Sequence, residues 1–462
     1  MDFHVSLAGR GDLSARIYRE LLDAIVDGRL RPGERLPPTR ELAQRLDVSR
    51  TTVTDAYDRL TAEGFLVGKV GAGTFVSEQP VKRAERRAAH GVARPRPIWD
   101  TLPQPTPLPW LEFDFRLGTP DGQLFPLETW RRLVAREMRA KVVHNADYTD
   151  PSGHEGLRAA IARYVGVSRS VHAGADDVVV TQGAQQALDI TARVLLEPGD
   201  CVATEEPGYV PARRLFSSHG ARVVGVPVDD EGLDVSALPD DARLVYTTPS
   251  HQFPLGTPMS LARRTALLAW AEQHDAVVVE DDYDSEYRFS DRPLQPVQSI
   301  DRGGRVVYVG SFSKTLLPML RIGFLVAPAS LLPALRTAKQ LTDWHGDVIN
   351  QAALATFLDE GLLARHIRKA TREYARRHEL IVETLEKDFP WLDLVPSAAG
   401  LHLCVRSEAD VEPVVAAARA KQVGVQALAD FCAGPVQHGL VLGYGAISLD
   451  NIREGLRRVR TN

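Results

Sequence analysis

The sequence predicts a multidomain chain: a small helical unit closed by a β-hairpin, a large α/β unit with a mostly parallel sheet, and a smaller C-terminal α+β subdomain. Three observations predict it. The chain has 462 residues, too long for one ordinary domain. Short helical patterns crowd residues 12–77 and give way to a Pro-, Ala- and Arg-rich stretch at 78–112. From residue 113 onward β-branched runs alternate with helical stretches, as in a parallel sheet crossed by helices.

The first unit opens with Leu13–Gly28, where Ile17, Leu21, Leu22 and Ile25 recur at helical spacing. A Pro/Gly turn over residues 30–37 follows. Thr39 is placed to cap a helix at Arg40–Leu46, and Ser49 to cap one at Arg50–Glu63. Two helices joined by so tight a turn form a helix-turn-helix. Its second helix presents Arg50, Thr51, Thr52 and Thr54 near the N-terminus, where such a helix meets base edges and phosphates. Phe65–Val67 and Thr74–Val76 then read as strands around a glycine-rich tip, a wing that can lie along the DNA backbone.

Residues 78–112 read as a solvated linker, because the prolines favour extended chain and few apolar residues are offered for burial. In the third zone, 113–462, strands are predicted at Val178–Thr181, Cys201–Thr204, Arg222–Val226, Leu244–Thr248, Ala276–Glu280, Val306–Gly310 and Gly323–Val326. Near-continuous apolar runs such as Val277-Val278-Val279 fit strands covered on both faces. The large subdomain is placed at about 145–330 and the small one at about 331–462, with strands returning near Leu401–Val405 and Leu440–Leu442.

A net charge of -5 excludes general attraction to nucleic acid, so any DNA contact requires a local basic surface. Cys201, Cys404 and Cys432 are widely spaced and form no metal-ligand pattern, which points to a reduced, cytoplasmic setting and no metal centre. No signal peptide, membrane span or membrane partner is expected.

Four strings in the large unit carry chemistry. Lys314, in Gly310-Ser311-Phe312-Ser313-Lys314-Thr315, ends a buried strand, where desolvation lowers an amine's pKa and favours a Schiff base. Asp281 ends another, able to pair with a protonated ring nitrogen, and Tyr283 follows as a donor to a phenolic oxygen. Gly183, Ala184 and Gln185 turn a strand into a helix whose first N–H groups suit a phosphate, with Ser311, Ser313 and Arg321 as further donors. Tyr209 is placed to stack on a ring. Together these meet the needs of pyridoxal 5′-phosphate (PLP): amine, acid, phenol donor, phosphate cluster and ring stack.

Residues 13–76, with the signature LRPGERLPPTRELAQRLDVSRTTVTDAYDRLTAEGFL within them, resemble the winged helix-turn-helix of the GntR superfamily. The later strings resemble fold-type I aminotransferases, and the order of the two resembles the MocR/GabR family. The resemblance implies that Arg40, Arg50, Thr51, Thr52 and Thr54 contact a double-stranded operator, with Gly71 at the wing. It implies that Lys314 bonds the PLP aldehyde and that Asp281, Tyr283, Tyr209, Gly183, Ala184, Gln185, Ser311, Ser313 and Arg321 surround the cofactor. Tyr148 is then the residue that reaches the phosphate of a partner subunit, which implies a homodimer.

Departures from the family bear on function. Phe253-Pro254-Leu255-Gly256 stands where aminotransferases have Asn-Pro-x-Gly, and Phe cannot donate a hydrogen bond to the cofactor, which argues against efficient transamination. Val441 and Pro211 stand where relatives carry the arginines that hold an effector's carboxylate; Arg213 or Arg214 are the nearest replacements. The expectation is a transcription regulator whose effector is PLP itself, as in PdxR-type members that control vitamin B6 synthesis. The alternatives are an amino-acid-sensing regulator and an aminotransferase with an accessory DNA-binding unit.

Overall fold

A computed structural model describes residues 12–78, 91–104, 109–139, 147–289, 295–397 and 399–460. The chain divides into two units, 1–94 and 95–462.

The first unit holds α1 (Leu13–Val26), α2 (Thr39–Leu46), α3 (Arg50–Ala62) and a hairpin of β1 (Leu66–Lys69) and β2 (Gly73–Val76), paired Leu66 to Val76 and Lys69 to Gly73. Ile17, Leu21, Val53, Ala56 and Leu60 fill its core from the facing stripes of α1 and α3. Ser49 caps α3 as expected, accepting from Thr52 N at 3.1 Å. Thr39 does not cap α2: it is already helical, Pro38 stands before it, and no side chain bonds that helix start. Proline's fixed φ sets the entry in place of a cap. The turn between α2 and α3 is made by Asp47, with φ of 52°.

The second unit opens with a short strand, β3 (Phe113–Asp114), and is built around an eight-stranded sheet. Its strands are β4 (Val178–Thr181), β5 (Cys201–Glu206), β6 (Arg222–Asp229), β7 (Gly232–Leu233), β8 (Ala242–Thr247), β9 (Val277–Asp282), β10 (Val306–Ser311) and β11 (Gly323–Val326), in the order β4-β11-β10-β9-β8-β5-β6-β7. The inner strands from β6 to β10 are parallel, as the sequence predicts; β11 runs antiparallel to both its neighbours. Apolar side chains leave both faces: Val277 and Val279 join one core with Val307 and Val309, while Val278 joins another with Val306. Because the strands are parallel, the chain ends of β5, β8, β9 and β10 open on one edge, where ligands of such sheets sit.

The subdomain boundary differs from the expectation of 331. The helix Val348–Asp359 still packs Ala353, Leu354 and Phe357 against Leu157 and Val178 of the large subdomain. The small core takes over at Ala370 and Tyr374 of the long helix Leu362–Asp388. It includes Phe113 and Phe115, since Phe113–Asp114 pairs in parallel with Val423–Gly424. A four-stranded sheet completes it, with His402–Arg406 antiparallel to Gly439–Gly443. The later part of the predicted linker also belongs to this unit: Ile98–Thr101 is a short helix, and Arg96 donates to the Ser218 carbonyl at 3.2 Å. Residues 79–90 and 105–108 of that linker lie outside the described residues.

Candidate functional site

Three consecutive acids end β9, and because successive strand residues alternate faces, Asp281 lies opposite Glu280 and Asp282. Glu280 is buried and accepts from the N–H groups of Val297 and Gln298, both at 2.9 Å. Asp282 faces Arg169 at 3.3 Å and accepts from Tyr308 Oη at 2.6 Å. Asp281 continues the Val277–Val279 face and reaches a cavity of about 300 Å³.

Lys314, Asp281, Tyr283, Tyr209, Ala184, Gln185, Ser311, Ser313 and Arg321 all line that cavity. Nine residues read from four separate strings thus meet in one space. Burial pushes the Asp281 carboxyl up to about 7. Its Oδ2 accepts from Tyr246 Oη at 2.8 Å, whereas its buried Oδ1 has no partner among the described residues. Such an orphaned acceptor is costly unless a donor arrives, and a protonated pyridine nitrogen is one. Burial also lowers the Lys314 ammonium pKa, against the attraction of Asp284 and Asp281. Lys314 Nζ donates to the Gly118 carbonyl at 2.7 Å, and a Cβ built on Gly118 would lie 2.5 Å from that nitrogen.

Gly183 precedes the helix Ala184–Leu195 with φ of 76°, a left-handed conformation that favours glycine. No side chain caps this helix, which leaves its first N–H groups for an anion. A Cβ on Gly183 would lie 3.1 Å from the Arg321 guanidinium, so Gly183 borders the cluster without lining the cavity itself. Arg321 Nη2 donates to the Gln182 carbonyl at 2.6 Å, and Ser311 Oγ accepts from Ser313 N at 3.1 Å. The residues present therefore fit PLP at the amine, the acid and the phosphate.

The remaining expectations divide. The Tyr283 hydroxyl donates to the His251 carbonyl at 2.9 Å, and must turn to serve a phenolic oxygen. Tyr209 meets Phe253 edge-to-face at 5.6 Å across the cavity wall. Tyr148 is not at this cavity: 71% exposed, it packs on Trp344 at 4.8 Å. Neither replacement arginine reaches the site. Arg213 is buried on Glu206 at 2.6 Å and donates to the carbonyls of Gly208 and Phe431; Arg214 is exposed. Val441 is fully buried, in a cluster against which Phe253 and Leu117 pack.

Sequence reasoning missed Tyr246, Gly118 and His402, all of which line the cavity. Tyr246 had a signal: it sits near the end of a predicted buried strand. Gly118 and His402 had none, since they arrive from opposite ends of the unit.

On the first unit, Arg40, Arg50, Thr51 and Gly71 are exposed, and Thr52 and Thr54 are half-buried. Arg50, Thr51, Thr52 and Thr54 share the start of α3. The Thr54 hydroxyl donates to the Arg50 carbonyl at 3.0 Å, and the Thr52 hydroxyl lies 2.7 Å from Ser49 Oγ. Arg40 and Arg50 are cations without an ion pair among the described residues.

Comparison with known proteins agrees with both units. The family of aminotransferases class I and II matches residues 117–429, and that of bacterial regulatory proteins of the gntR family matches residues 13–76. The probable rhizopine catabolism regulatory protein MocR of Rhizobium meliloti is 39% identical over 96% of this chain and 92% of its own. The pyridoxine biosynthesis transcriptional regulator PdxR of Corynebacterium glutamicum is 30% identical over 96% of this chain and 94% of its own. Among solved structures, the kynurenine aminotransferase of Pyrococcus horikoshii superposes with a TM-score of 0.70 at 30% identity, over 75% of this chain and 89% of its own. The α-aminoadipate aminotransferase LysN of Thermus thermophilus, complexed with a phosphopyridoxyl-leucine, gives 0.69 at 30% identity, over 75% and 90%. No helix among the described residues is long and apolar enough to cross a membrane. The chain belongs to the MocR/GabR family of transcription regulators, in which a GntR-type helix-turn-helix is fused to an aminotransferase-like domain that binds PLP.

Proposed function

We propose that this protein is a PLP-responsive transcription regulator: PLP held at Lys314 is the signal, and the regulated genes are those of vitamin B6 synthesis. The observation that carries the reading is a cavity with partners for PLP and, among the described residues, no arginine left over for an amino acid's carboxylate. Lys314 would bond the aldehyde, Asp281 would pair with the ring N–H, and the start of the Ala184 helix with Ser311, Ser313 and Arg321 would hold the phosphate. PLP supplies an aldehyde for amines and an electron-withdrawing ring. Tyr246 orients Asp281 through the bond to its other oxygen. The similarity to a pyridoxine biosynthesis regulator supports the choice of target genes.

In this reading the protein acts as a homodimer on a double-stranded operator, with the exposed start of α3 at the bases and the β1–β2 tip near the backbone. Tyr148, exposed and outside its own cavity, serves the partner's phosphate. PLP shifts the dimer between two arrangements by no more than its difference in affinity for them.

Gel shifts test the proposal on an operator found by footprinting upstream of the B6 genes and of the protein's own gene. PLP alone should change operator affinity. If PLP alone changes nothing and PLP with one amino acid does, that amino acid is the effector.

A further inference from the structure

The two subdomains of the second unit meet beside the cavity at a charged clasp. Glu206 ends β5 and Arg213 lies in the helix Val210–Ser218, both in the large subdomain. Their side chains are nearly buried and pair at 2.6 Å. Each also holds backbone of the small subdomain, in the turn Leu428–Phe431 and just after it. That turn follows Gln426–Ala427, an edge strand of the four-stranded sheet. Glu206 Oε1 accepts from Ala433 N at 2.8 Å, and Arg213 Nη2 donates to the Phe431 carbonyl. Gly208 N donates to that same carbonyl at 3.1 Å, and Arg213 Nη2 reaches the Gly208 carbonyl at 3.3 Å.

The clasp brackets the cavity wall. Tyr209, which lines the cavity, lies between Glu206 and Arg213 in the chain. Phe431 meets Phe253 edge-to-face at 5.2 Å, and Phe253 lines the cavity beside Tyr209. Glu206 has little freedom to move away: a Cβ built on Gly225 of β6 would lie 3.0 Å from its Oε2. A buried ion pair adds little stability over apolar packing of the same volume. The adjoining cluster, with Val228, Leu255, Leu428 and Phe431, is already apolar. What the charges add is a closed position fixed by direction, one that opens as a unit when the pair parts.

We infer that the Glu206–Arg213 pair is a latch on the cavity: it holds Phe431 and Ala433 of the small subdomain closed, and it opens for PLP to enter or leave. The inference rests on PLP occupying the cavity, as proposed above. Arg213 is then a positioning residue that touches no ligand.

Pyridoxine 5′-phosphate separates passage from bonding, because it has no aldehyde for Lys314. Its uptake and release are followed by fluorescence in the full-length protein, alongside deuterium exchange and the melting temperature. Exchange at the Gly208 and Ala433 amides, read with no ligand added, should quicken by about tenfold or more in Arg213→Met. Uptake and release should both quicken by about fivefold or more, since an open gate serves both directions. A residue that only held the ligand would quicken release alone. Glu206→Gln/Arg213→Met removes both charges. It should regain melting temperature that Arg213→Met loses, because no buried carboxylate is left unpaired, yet keep the fast rates. Where Arg213→Met does not fold, the double variant is compared directly with the wild type. Rates that return to the wild-type values along with the melting temperature overturn the latch, and so does unchanged amide exchange or a change in release alone. A wild type that binds neither PLP nor pyridoxine 5′-phosphate strikes the proposed function, and the gate falls with it whatever the exchange data show.

Discussion

The two units place their functional residues in opposite ways. The candidate DNA-contact residues of the first unit, from Arg40 to Gly71, sit on neighbouring elements of one contiguous run, with their backbone neighbours supplying the caps and the turn. The cavity of the second unit draws on residues from Leu117 to His402, in short groups scattered along the chain. One site is local and faces solvent, so a substitution there changes what is offered to DNA and little else. The other is held by a sheet edge, and its chemistry depends on burial: Asp281, Lys314 and His402 all have their pKa values moved chiefly by desolvation. Substitutions in the two units should therefore separate cleanly in their effects.

The largest separation is expected at Lys314. Lys314→Ala removes the only amine lining the cavity among the described residues, and the borohydride-reducible PLP adduct and its visible absorption should vanish. Operator affinity of the PLP-free protein should stay at the wild-type level. An identical adduct in the variant would show that another lysine carries PLP.

Asp281→Asn comes next. It keeps an acceptor for Tyr246 but loses the charge, and PLP affinity should fall by about 1.5–3 kcal/mol, read by spectrophotometric titration. Stability should move the other way. A carboxyl raised to about 7 in the folded protein binds its proton more tightly there than when unfolded. Wild-type stability from this group is thus highest below about pH 4, falls as pH rises, and has reached its full penalty above about pH 7. The PLP-free Asn variant escapes that fall. Its melting temperature should exceed the wild type's at pH 8 and match it near pH 4; a constant difference across that range would contradict the burial argument.

Arg50→Ala is the mirror image of the Lys314 variant. It removes an exposed cation from the start of α3 and should weaken operator binding by about 1–3 kcal/mol in gel-shift titration if Arg50 reads a guanine. PLP loading should be unaltered. Unchanged operator affinity would argue against this docking of α3.

The smallest effect is expected at Ser49→Ala, which deletes the α3 cap. Thermal unfolding of the first unit should weaken by about 1 kcal/mol, with no change in the PLP spectrum. A joint loss of stability and PLP binding would show that the two units are coupled more tightly than their separate cores imply.

Much of the molecule was legible in the amino-acid order. Hydrophobic spacing alone located α1 and α3 to within a few residues and every main strand of the large sheet, because burial of one helix stripe or of both sheet faces leaves a periodic trace. Turn chemistry located the Ser49 cap, and strand ends identified Asp281 and Lys314. The Thr39 cap misread a residue that proline geometry had already carried into the helix. Tertiary structure alone decided which of Glu280, Asp281 and Asp282 faces the cavity, since that depends on strand phase relative to the sheet and not on residue type. It alone placed Gly118 and His402 beside Lys314, committed Arg213 to Glu206, and left Asp281 Oδ1 and His402 Nε2 without partners. Those outcomes come from contacts between residues far apart in the chain, and desolvation, which sets the chemistry of the site, exists only once those residues have packed together.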